Sequence, residues 1–343
     1  MPNSTPLSLI SLPKRTGDCV RNYSKTAIIT GISGQDGLIS TDILIARDWN
    51  IVGVTRNPNS KRVSELKSLH SSIKFIELDC TRDFYPNLIK EYKPNLFLHW
   101  GSPSSVVNPW SNPTDTFADL VISSCSILQG IVDNSMSETA LMLPVSSEIF
   151  SKDGLGKTAD SPRELKSIYA TGKSSILDLA NLYREKYDIQ IYSPILFPHE
   201  SPLRNGDFFT KRIMDAIIEV KNSFGVRLPI GDLSAKRDWS WAPSVVSYII
   251  DELEKGSNTT KTIGSGSLIT TSKVIESFFS AARIPDWRDY FIVDQGQVRT
   301  EGALGNFAHL ESENFFAQPA LEEWSKMYVE STLYGKFLNY STV

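Results

Sequence analysis

The chain has 343 residues, of which 41% are hydrophobic and 22% charged, and these are ordinary values for a globular protein with a sizeable core. Its formal net charge of -4 excludes the basic balance that is typical of nucleic-acid-binding proteins, so we expect no nucleic-acid partner. Three widely spaced cysteines and four histidines, with neither paired CxxC nor HExxH motifs, predict no disulfide framework and no metal site.

Residues 1–25 are polar and contain proline, and they predict a flexible N-terminal arm. The apolar patch from Leu7 to Leu12 is broken by serines, so it is too short and too polar for a secretory signal. We find no apolar run that approaches the ~18 residues of a membrane helix. We therefore expect a cytoplasmic protein without a membrane partner.

Residues 26–37 predict a dinucleotide site. An apolar run from Thr26 to Thr30 predicts a buried first strand, three glycines follow at three-residue spacing, and an apolar-periodic run predicts a helix over 38–47. A turn without Cβ atoms lets backbone amides and the helix N-terminus close on a pyrophosphate. The alternative is an ordinary glycine-rich loop. The cofactor contacts expected here are Gly31, Ser33, Gly34, Gln35, Asp36 and Gly37.

The second predicted strand indicates which dinucleotide is bound. It covers residues 50–54 and is followed by Arg56, with Lys61 and Arg62 just beyond. A protein that uses NAD usually has an acidic residue at this strand end, bonded to the ribose 2′-hydroxyl. A basic residue suits a 2′-phosphate instead, so the sequence predicts NADP. The alternative for Arg56 is a solvated surface arginine.

Strand and helix patterns then alternate along the chain. The further predicted strands cover 72–78, 96–100, 140–145 and 189–197, and the further predicted helices cover 84–92, 117–132 and 169–187. This alternation predicts an α/β fold, a Rossmann-type doubly wound parallel sheet that binds ligands at its carboxyl edge. We expect an NADP-binding domain over 26–197 and a smaller mixed α/β substrate lobe over 198–343, with some segments returning to the first domain.

Four residues near that edge form a candidate catalytic set: Ser146, Glu148, Tyr169 and Lys173. Removing a hydride from a carbinol requires a base for the hydroxyl proton, and a phenol becomes usable when a cation stabilises its phenolate. Lys173, one helical turn after Tyr169, and the nicotinamide ring would supply that charge, and a serine hydroxyl would complete the relay. The alternatives are a buried packing tyrosine and a solvated lysine.

Several motifs give the chain a family resemblance. The matching stretches are Thr-Gly-Ile-Ser-Gly-Gln-Asp-Gly (30–37), Ser-Ser-Glu (146–148), Tyr-Ala-Thr-Gly-Lys (169–173), Tyr-Arg-Glu-Lys-Tyr (183–187), Phe-Pro-His-Glu-Ser-Pro-Leu-Arg (197–204) and Gly-Asp-Leu-Ser-Ala-Lys-Arg-Asp-Trp (231–239). In this order, over about residues 25 to 305, they resemble the GDP-mannose 4,6-dehydratase family of extended short-chain dehydrogenases/reductases. The last two stretches are the most specific to that family.

The resemblance implies a reaction. Tyr169 would deprotonate the 4-hydroxyl of a GDP-sugar while hydride passes from C4 to NADP⁺, and Glu148 would then remove the C5 proton as the C6 hydroxyl leaves as water. Hydride would return to C6, giving a 4-keto-6-deoxy sugar. By this resemblance Glu148 separates a dehydratase from a simple reductase. The alternative for Glu148 is a helix-start or surface acid.

The resemblance also assigns residues to ligands. Ser146 stands where the family has threonine. The resemblance also implies a homo-oligomer, either a dimer or a tetramer. Asp79 and Cys80 fall where adenine is held, and His199 and Arg204 where NADP is contacted. Substrate contacts are expected from Ser104, Ser147, Glu200, Lys236 and Arg237. A guanidinium matches a diphosphate bidentately, although an ion pair with Asp238 is the alternative for Arg237.

The sequence departs from the family at several points. Residues 99–106 are rewritten, Pro198 replaces an asparagine, Phe150-Ser151 replaces an aromatic-glycine pair, and the loop between Arg56 and Arg62 is shortened. We interpret His99 as a core histidine. Two other functions therefore stay open, a GDP-sugar 4-reductase or epimerase and a nucleotide-binding partner subunit without turnover.

Overall fold

A parallel sheet forms the centre of the protein in a computed structural model that describes residues 25–79, 81, 83–102, 112–204, 208–222, 228–293, 304–310 and 318–335. The strands of these residues are, in chain order, β1 (Thr26–Thr30), β2 (Asn50–Thr55), β3 (Lys74–Glu77), β4 (Leu96–His99), β5 (Ala140–Met142), β6 (Val145–Ser146), β7 (Gly156–Lys157), β8 (Ile191–Leu196), β9 (His199–Glu200), β10 (Leu228–Ile230), β11 (Lys236–Asp238), β12 (Ser240–Trp241), β13 (Thr260–Ile263), β14 (Leu268–Thr270), β15 (Phe291–Val293) and β16 (Phe307–Ala308). The large sheet has the order β13-β8-β5-β4-β1-β2-β3, with β6 also paired to β8, and these pairs are parallel.

Helices cover both faces of this sheet. In chain order the α-helices are α1 (Gln35–Ala46), α2 (Lys61–Leu69), α3 (Phe84–Tyr92), α4 (Pro113–Phe117), α5 (Ser123–Asp133), α6 (Ile168–Tyr187), α7 (Phe209–Asn222), α8 (Ala242–Glu254), α9 (Thr271–Ala281) and α10 (Leu321–Tyr334). Ala27 and Ile29 of β1 pack into the cluster with α1 and α8, while Ile28 packs into the cluster with α3, α5 and α6. Because both faces are buried, β1 is apolar without alternation. The predicted α/β doubly wound fold is confirmed.

A second, smaller core lies in the C-terminal half. Helices α7, α9 and α10 pack around aromatic side chains, with the Phe278 ring 5.1 Å from the Tyr328 ring and 5.7 Å from the Trp324 ring. Short two-stranded sheets, β9 with β12 and β11 with β14, join this core to the large sheet. Helix α8 and strand β13, which follow residue 198, pack on the large sheet itself. The proposed domain boundary at 198 stays a prediction.

Two prolines lie where the pairing of β5 and β6 with β8 is interrupted. Strands β5 and β6 pair with β8 in one continuous register, Leu141 with Ile191 and Val145 with Ile195, so Pro144 lies opposite Pro194. Leu143 still donates to the Tyr192 carbonyl at 3.0 Å, but Pro194 has no N–H to donate to β5, and the paired strand resumes only at Val145. The sequence analysis predicted one strand over 140–145 and missed this interruption.

Other predicted bounds differ from the structure by a few residues. The helix predicted over 38–47 begins at Gln35 in the structure. The prediction started too late because the first turn is polar and carries no apolar signal. The predicted helix over 117–132 covers Pro113–Asp133 as α4, a π-helical segment (Ala118–Ile122) and α5. Strand β1 and helix α3 have the predicted bounds.

The helix Pro113–Asp133 is long and apolar enough to cross a membrane by length and composition, and it is the one such helix among the described residues. The sequence analysis counted no such run, because Asp115 and Asp119 interrupt it. Leu120, Ile127 and Ile131 of this helix pack into the core on one face of the sheet, which is typical of a helix in an α/β fold. The cytoplasmic location stays a prediction.

Candidate active site

Each of the three glycines in the turn after β1 is accommodated for a different structural reason. Gly31 has φ +65°, and a Cβ there would lie 2.8 Å from the Cα of Gly101. A Cβ on Gly37 would lie 2.4 Å from the Gly31 carbonyl oxygen. A Cβ on Gly34 would meet only that oxygen, at 3.2 Å, so packing alone does not require glycine at this position. Gly34 is also the N-cap of α1 and has no side chain to accept from the first-turn amides, which suits an anionic ligand there.

A cleft of about 350 Å³ opens at the carboxyl ends of β1 and β2. The glycine turn, including Ser33, forms one wall, and Trp100 to Ser102 with Arg204 form the other. Trp100 to Ser102 follow β4, and β1 and β4 lead to helices on opposite faces of the sheet, α1 on one and α5 on the other. Open parallel sheets bind ligands at the carboxyl edge beside such a pair of strands.

The first turn of α1 is joined to β9. The amide of Gln35 donates to the His199 carbonyl at 3.2 Å and accepts from the Ser201 hydroxyl at 2.9 Å. His199 Nε2 lies 3.3 Å from Asp36 Oδ1. Burial opposes the charge on both groups, yet their pairing raises the pKa of His199 and lowers that of Asp36. Gln35 and Asp36 line the cleft while holding β9, so their predicted contacts with a cofactor stay predictions.

Arg204 reaches the cleft from the segment after β9. Its guanidinium stacks on the Phe208 ring at 3.8 Å, and Nη2 lies 3.4 Å from Glu200 Oε1. Glu200 is buried and its carboxylate also accepts from the Thr210 hydroxyl. Glu200 therefore holds the Arg204 side chain in position. The substrate contact predicted for Glu200 stays a prediction.

The end of β6 brings three predicted catalytic groups together. Ser146 accepts from the Glu148 amide at 3.3 Å, which starts the 3₁₀ turn Ser147–Ile149, and its hydroxyl lies beside the Tyr169 phenol. Burial raises the pKa of Tyr169 to about 12; the Ser146 hydrogen bond and the Arg204 charge act to lower it, and the Glu148 charge adds to the rise. Glu148 and Arg204 thus lie within electrostatic range of the phenol.

Lys173 approaches from the same helix, α6. Its Nζ donates to the Pro144 carbonyl at 2.9 Å and to the Ser102 hydroxyl at 3.2 Å, and it lies 5.8 Å from the Tyr169 ring centroid. Burial lowers the pKa of Lys173 to about 7. Lys173 is therefore buried and not a solvated lysine. Tyr169 also packs into the core on one face of the sheet, so its catalytic role stays a prediction.

Comparison with known proteins adds the family. The family model described as GDP-mannose 4,6 dehydratase matches residues 28–310. The chain belongs to the GDP-mannose 4,6-dehydratase family. It is 25% identical over 303 residues to GDP-mannose 4,6 dehydratase 2 of Arabidopsis thaliana, covering 84% of this chain and 80% of that protein. It is 25% identical over 262 residues to GDP-mannose 4,6-dehydratase of Yersinia enterocolitica, covering 73% and 70%. The predicted enzyme class, a hydro-lyase, agrees with this membership.

Solved structures agree on the fold. dTDP-glucose 4,6-dehydratase of Bacillus anthracis, solved in complex with NAD, superposes with a TM-score of 0.73 at 17% identity, covering 90% of this chain and 96% of that chain. UDP-glucose-4-epimerase of Stenotrophomonas maltophila superposes with a TM-score of 0.76 at 15% identity, covering 90% and 98%. At these identities the likeness concerns the fold alone.

Other residues that were predicted to bind the cofactor or the substrate lie away from the catalytic groups or outside the described residues. Arg56 lines the cleft with its side chain 77% exposed, 3.9 Å from Asp119. Asp79 accepts from the amide and the hydroxyl of Thr81, both at 3.2 Å. Cys80 and Ser104 lie outside the described residues.

The three charged residues of β11 differ in burial. Lys236 is exposed, and Arg237 donates to the Lys236 carbonyl at 2.7 Å. Asp238 is buried and accepts from three backbone amides, those of Ser265, Gly266 and Ala308. Asp238 therefore serves the packing of loops rather than a phosphate site, and the predicted substrate contacts of Lys236 and Arg237 stay predictions.

Two residues, Arg62 and Lys152, make contacts in the site that the sequence analysis did not predict. Arg62 donates to the Ser33 carbonyl at 3.1 Å and to the Leu203 carbonyl at 2.8 Å, and so connects the glycine turn to the segment after β9. Lys152 donates to Glu148 Oε2 at 2.9 Å. The four-residue spacing of Glu148 and Lys152 was the one available signal for the second contact, and it is also common on protein surfaces.

Proposed function

We propose that this protein converts a GDP-sugar, GDP-mannose or a close relative, to the 4-keto-6-deoxy sugar with NADP as a recycled cofactor. Family membership supports sugar-nucleotide 4,6-dehydration as the reaction class. The observation that carries the proposal is the convergence of Ser146, Glu148 and Tyr169 at the end of β6, with Lys173 behind the phenol. Oxidation requires an acceptor for the 4-hydroxyl proton, and elimination requires a second acceptor for the C5 proton. The tyrosine and the carboxylate are two such acceptors.

The cleft suits a dinucleotide. The side-chain-free N-cap at Gly34 and the unobstructed space beside it fit a pyrophosphate, and Arg204 gives the opposite wall a positive charge. A bound nicotinamide dinucleotide supplies a hydride acceptor for C4 and a hydride donor for C6. The protein's own groups manage the protons.

The proposed function assigns the proton steps to these residues. The Tyr169 oxygen, beside the Ser146 hydroxyl, takes the 4-hydroxyl proton, and the positive charge of Arg204 favours the phenolate, with Lys173 Nζ 5.8 Å from the Tyr169 ring centroid. The resulting ketone acidifies the neighbouring C5 proton, which the Glu148 carboxylate removes. Loss of the C6 oxygen completes the dehydration, and a proton returns to C5 when C6 is reduced.

Replacing the carboxylate tests this assignment. We expect Glu148→Gln to bind NADP as the unaltered protein does, but to lose water from the sugar at least 100-fold more slowly, because an amide cannot accept the C5 proton; one proton-transfer residue contributes roughly 10²–10⁴-fold. Mass spectrometry of GDP-mannose and related GDP-sugars reports the product as a loss of one water.

The same assay separates the other functions. A reductase would consume NADPH in step with substrate, and an epimerase would give a product of unchanged mass. A nucleotide-binding subunit without turnover would give no product at all. Dehydration by Glu148→Gln at the parent rate would overturn the role of Glu148.

We infer NADP rather than NAD from Arg56. Its guanidinium is exposed at the end of β2 and lines the cleft, where a ribose 2′-phosphate would make a charge-assisted hydrogen bond. We expect Arg56→Ala to weaken NADP binding about 10- to 100-fold and to leave NAD binding within about 3-fold, as one lost charged contact of ~1.5–3 kcal/mol predicts. Calorimetric titration of both dinucleotides measures this. Arg288→Ala, an exposed arginine of the smaller lobe, is the control, and equal losses for both cofactors would contradict the inference.

We also propose a homo-oligomer. Phe117, Ile122 and Leu182 expose large apolar side chains on the helix 113–133 and on α6, which pack against each other. A second copy that covers this surface would remove it from water. We expect Ile122→Asp to sediment as a monomer, whereas Leu155→Asp, at an equally exposed leucine elsewhere, keeps the assembly of the unaltered protein. A monomeric unaltered protein would refute this proposal.

A further inference from the structure

The Lys152 ammonium is not used by the reaction steps above, yet it touches the carboxylate that they require. Its Nζ lies 2.9 Å from Glu148 Oε2, and the two side chains are only 25% and 31% exposed. Ion pairs on open surfaces have little energetic value, and this pair is instead largely enclosed. The lysine therefore stands beside the C5–C6 bond if Glu148 acts at C5.

The loop that carries Lys152 is held by the segment 304–310. The Asn306 amide, which is buried, donates to the Ser151 carbonyl at 3.2 Å, immediately before Lys152. Two residues after Lys152, the Gly154 amide donates to the Gly305 carbonyl at 3.0 Å. The backbone on both sides of Lys152 is thus anchored.

The neighbouring charges are already paired with each other. The Lys157 ammonium, which is buried, donates to Asp153 Oδ2 at 2.7 Å and to the Ser151 hydroxyl at 3.0 Å. Asp153, adjacent to Lys152, is therefore occupied by another lysine. This leaves the Lys152 ammonium directed to Glu148.

Elimination at C5 and C6 needs a proton donor as well as a proton acceptor. Hydroxide is a poor leaving group, so the C6 oxygen must be protonated as the C6–O bond breaks. Glu148 carries the proton that it takes from C5, and this proton is needed again at C5 when C6 is reduced. Tyr169 serves the 4-hydroxyl, and the Lys173 ammonium is bonded to Pro144 and Ser102.

We propose that Lys152 is the general acid of the dehydration and protonates the departing C6 oxygen after Glu148 has taken the C5 proton. This assignment rests on the proposed function of the site. A lysine ammonium has three N–H donors, so Lys152 can keep its contact with Glu148 and still donate to the sugar.

The step balances in protons and electrons. The C5–H bond breaks, its proton goes to Glu148 and its electron pair forms the C5–C6 double bond. The C6–O bond breaks, and the oxygen leaves as water with a proton from Lys152. When hydride adds to C6, Glu148 returns a proton to C5. Lys152 regains a proton from solvent, and Tyr169 releases to solvent the one that it took.

Hydrogen exchange separates the two proton transfers. We expect Lys152→Gln, given GDP-mannose and NADP in D₂O, to form the 4-keto product about 100-fold more slowly than the unaltered protein, a loss typical for one general acid. Removal of the C5 proton continues, so the GDP-mannose recovered from this variant gains one deuterium at C5, read by mass and by NMR. The unaltered protein commits its substrate to product and leaves the remaining GDP-mannose largely unlabelled.

Two further variants distinguish acid catalysis from positioning. Lys152→Arg keeps a cation beside Glu148, but a guanidinium does not release a proton at neutral pH, so we expect it to fail like Lys152→Gln. Lys166→Gln is the control, because it removes a lysine from an exposed ion pair in which Lys166 Nζ lies 3.2 Å from Glu164 Oε1. We expect this variant to react as the unaltered protein does.

A substrate with a better leaving group gives a rescue test. GDP-mannose with fluorine in place of the 6-hydroxyl releases fluoride, which leaves with the C6–F electron pair and requires no full proton transfer. We expect Lys152→Gln to process this analogue within about 5-fold of the unaltered protein, a small part of the loss on GDP-mannose.

Several results would overturn the assignment. Product formation by Lys152→Gln at the unaltered rate, or full activity of Lys152→Arg, excludes an acid role. Equal loss of C5 exchange and of water release means that Lys152 only positions Glu148. If the unaltered protein forms no 4-keto product from any GDP-sugar tested, the proposed function fails as well, and that result is distinct from a failure confined to the Lys152 variants.

Discussion

The site depends on an interruption in one parallel ladder. Pro144 and Pro194 lie opposite each other between β5/β6 and β8, and neither can donate a backbone hydrogen bond. The Pro144 carbonyl accepts from the Lys173 ammonium at 2.9 Å. Pairing with β8 resumes at Val145 and Ser146, and Ser146 lies beside the phenol of Tyr169. This short segment therefore contacts both the lysine and the tyrosine and leads into the carboxylate turn.

Burial sets the electrostatics of this group. It raises the pKa of Tyr169 and lowers that of Lys173, so both changes oppose the charged pair of phenolate and ammonium. Positive charge from Arg204 works in the opposite direction on the phenol, and a cationic nicotinamide would add to it. Under the proposed function, positive charge that a ligand brings to the cleft would therefore favour the phenolate.

The sequence could predict elements whose signal is local. Strand β1 is apolar because both of its faces are buried, and its predicted bounds are those of the structure. The glycine turn, Ser146, Glu148, Tyr169 and Lys173 were all predicted, because their spacing within a strand–turn–helix pattern has a chemical reason. The structure places these catalytic residues at one sheet edge, while their roles stay proposals.

Contacts that link distant segments could not be predicted in this way. Gln35 and Asp36 bind Ser201 and His199, more than 160 residues away, and the sequence analysis had given both to the cofactor alone. Arg62 was counted among basic residues near the 2′-phosphate, although it holds Ser33 and Leu203 together. Lys152 resembles any lysine of a polar loop until Asn306 and Gly305 fix the backbone on either side. Such residues are determined by tertiary packing, not by local pattern.

The fate of the hydrogen on C4 tests most directly whether one ring is oxidised, dehydrated and reduced in this site. GDP-mannose deuterated at C4 is converted with unlabelled NADP, and the product is examined by NMR. The account predicts that the deuterium appears at C6 of the same sugar, with none in solvent or in released NADPH. Deuterium retained at C4, or recovered in free NADPH, would contradict it.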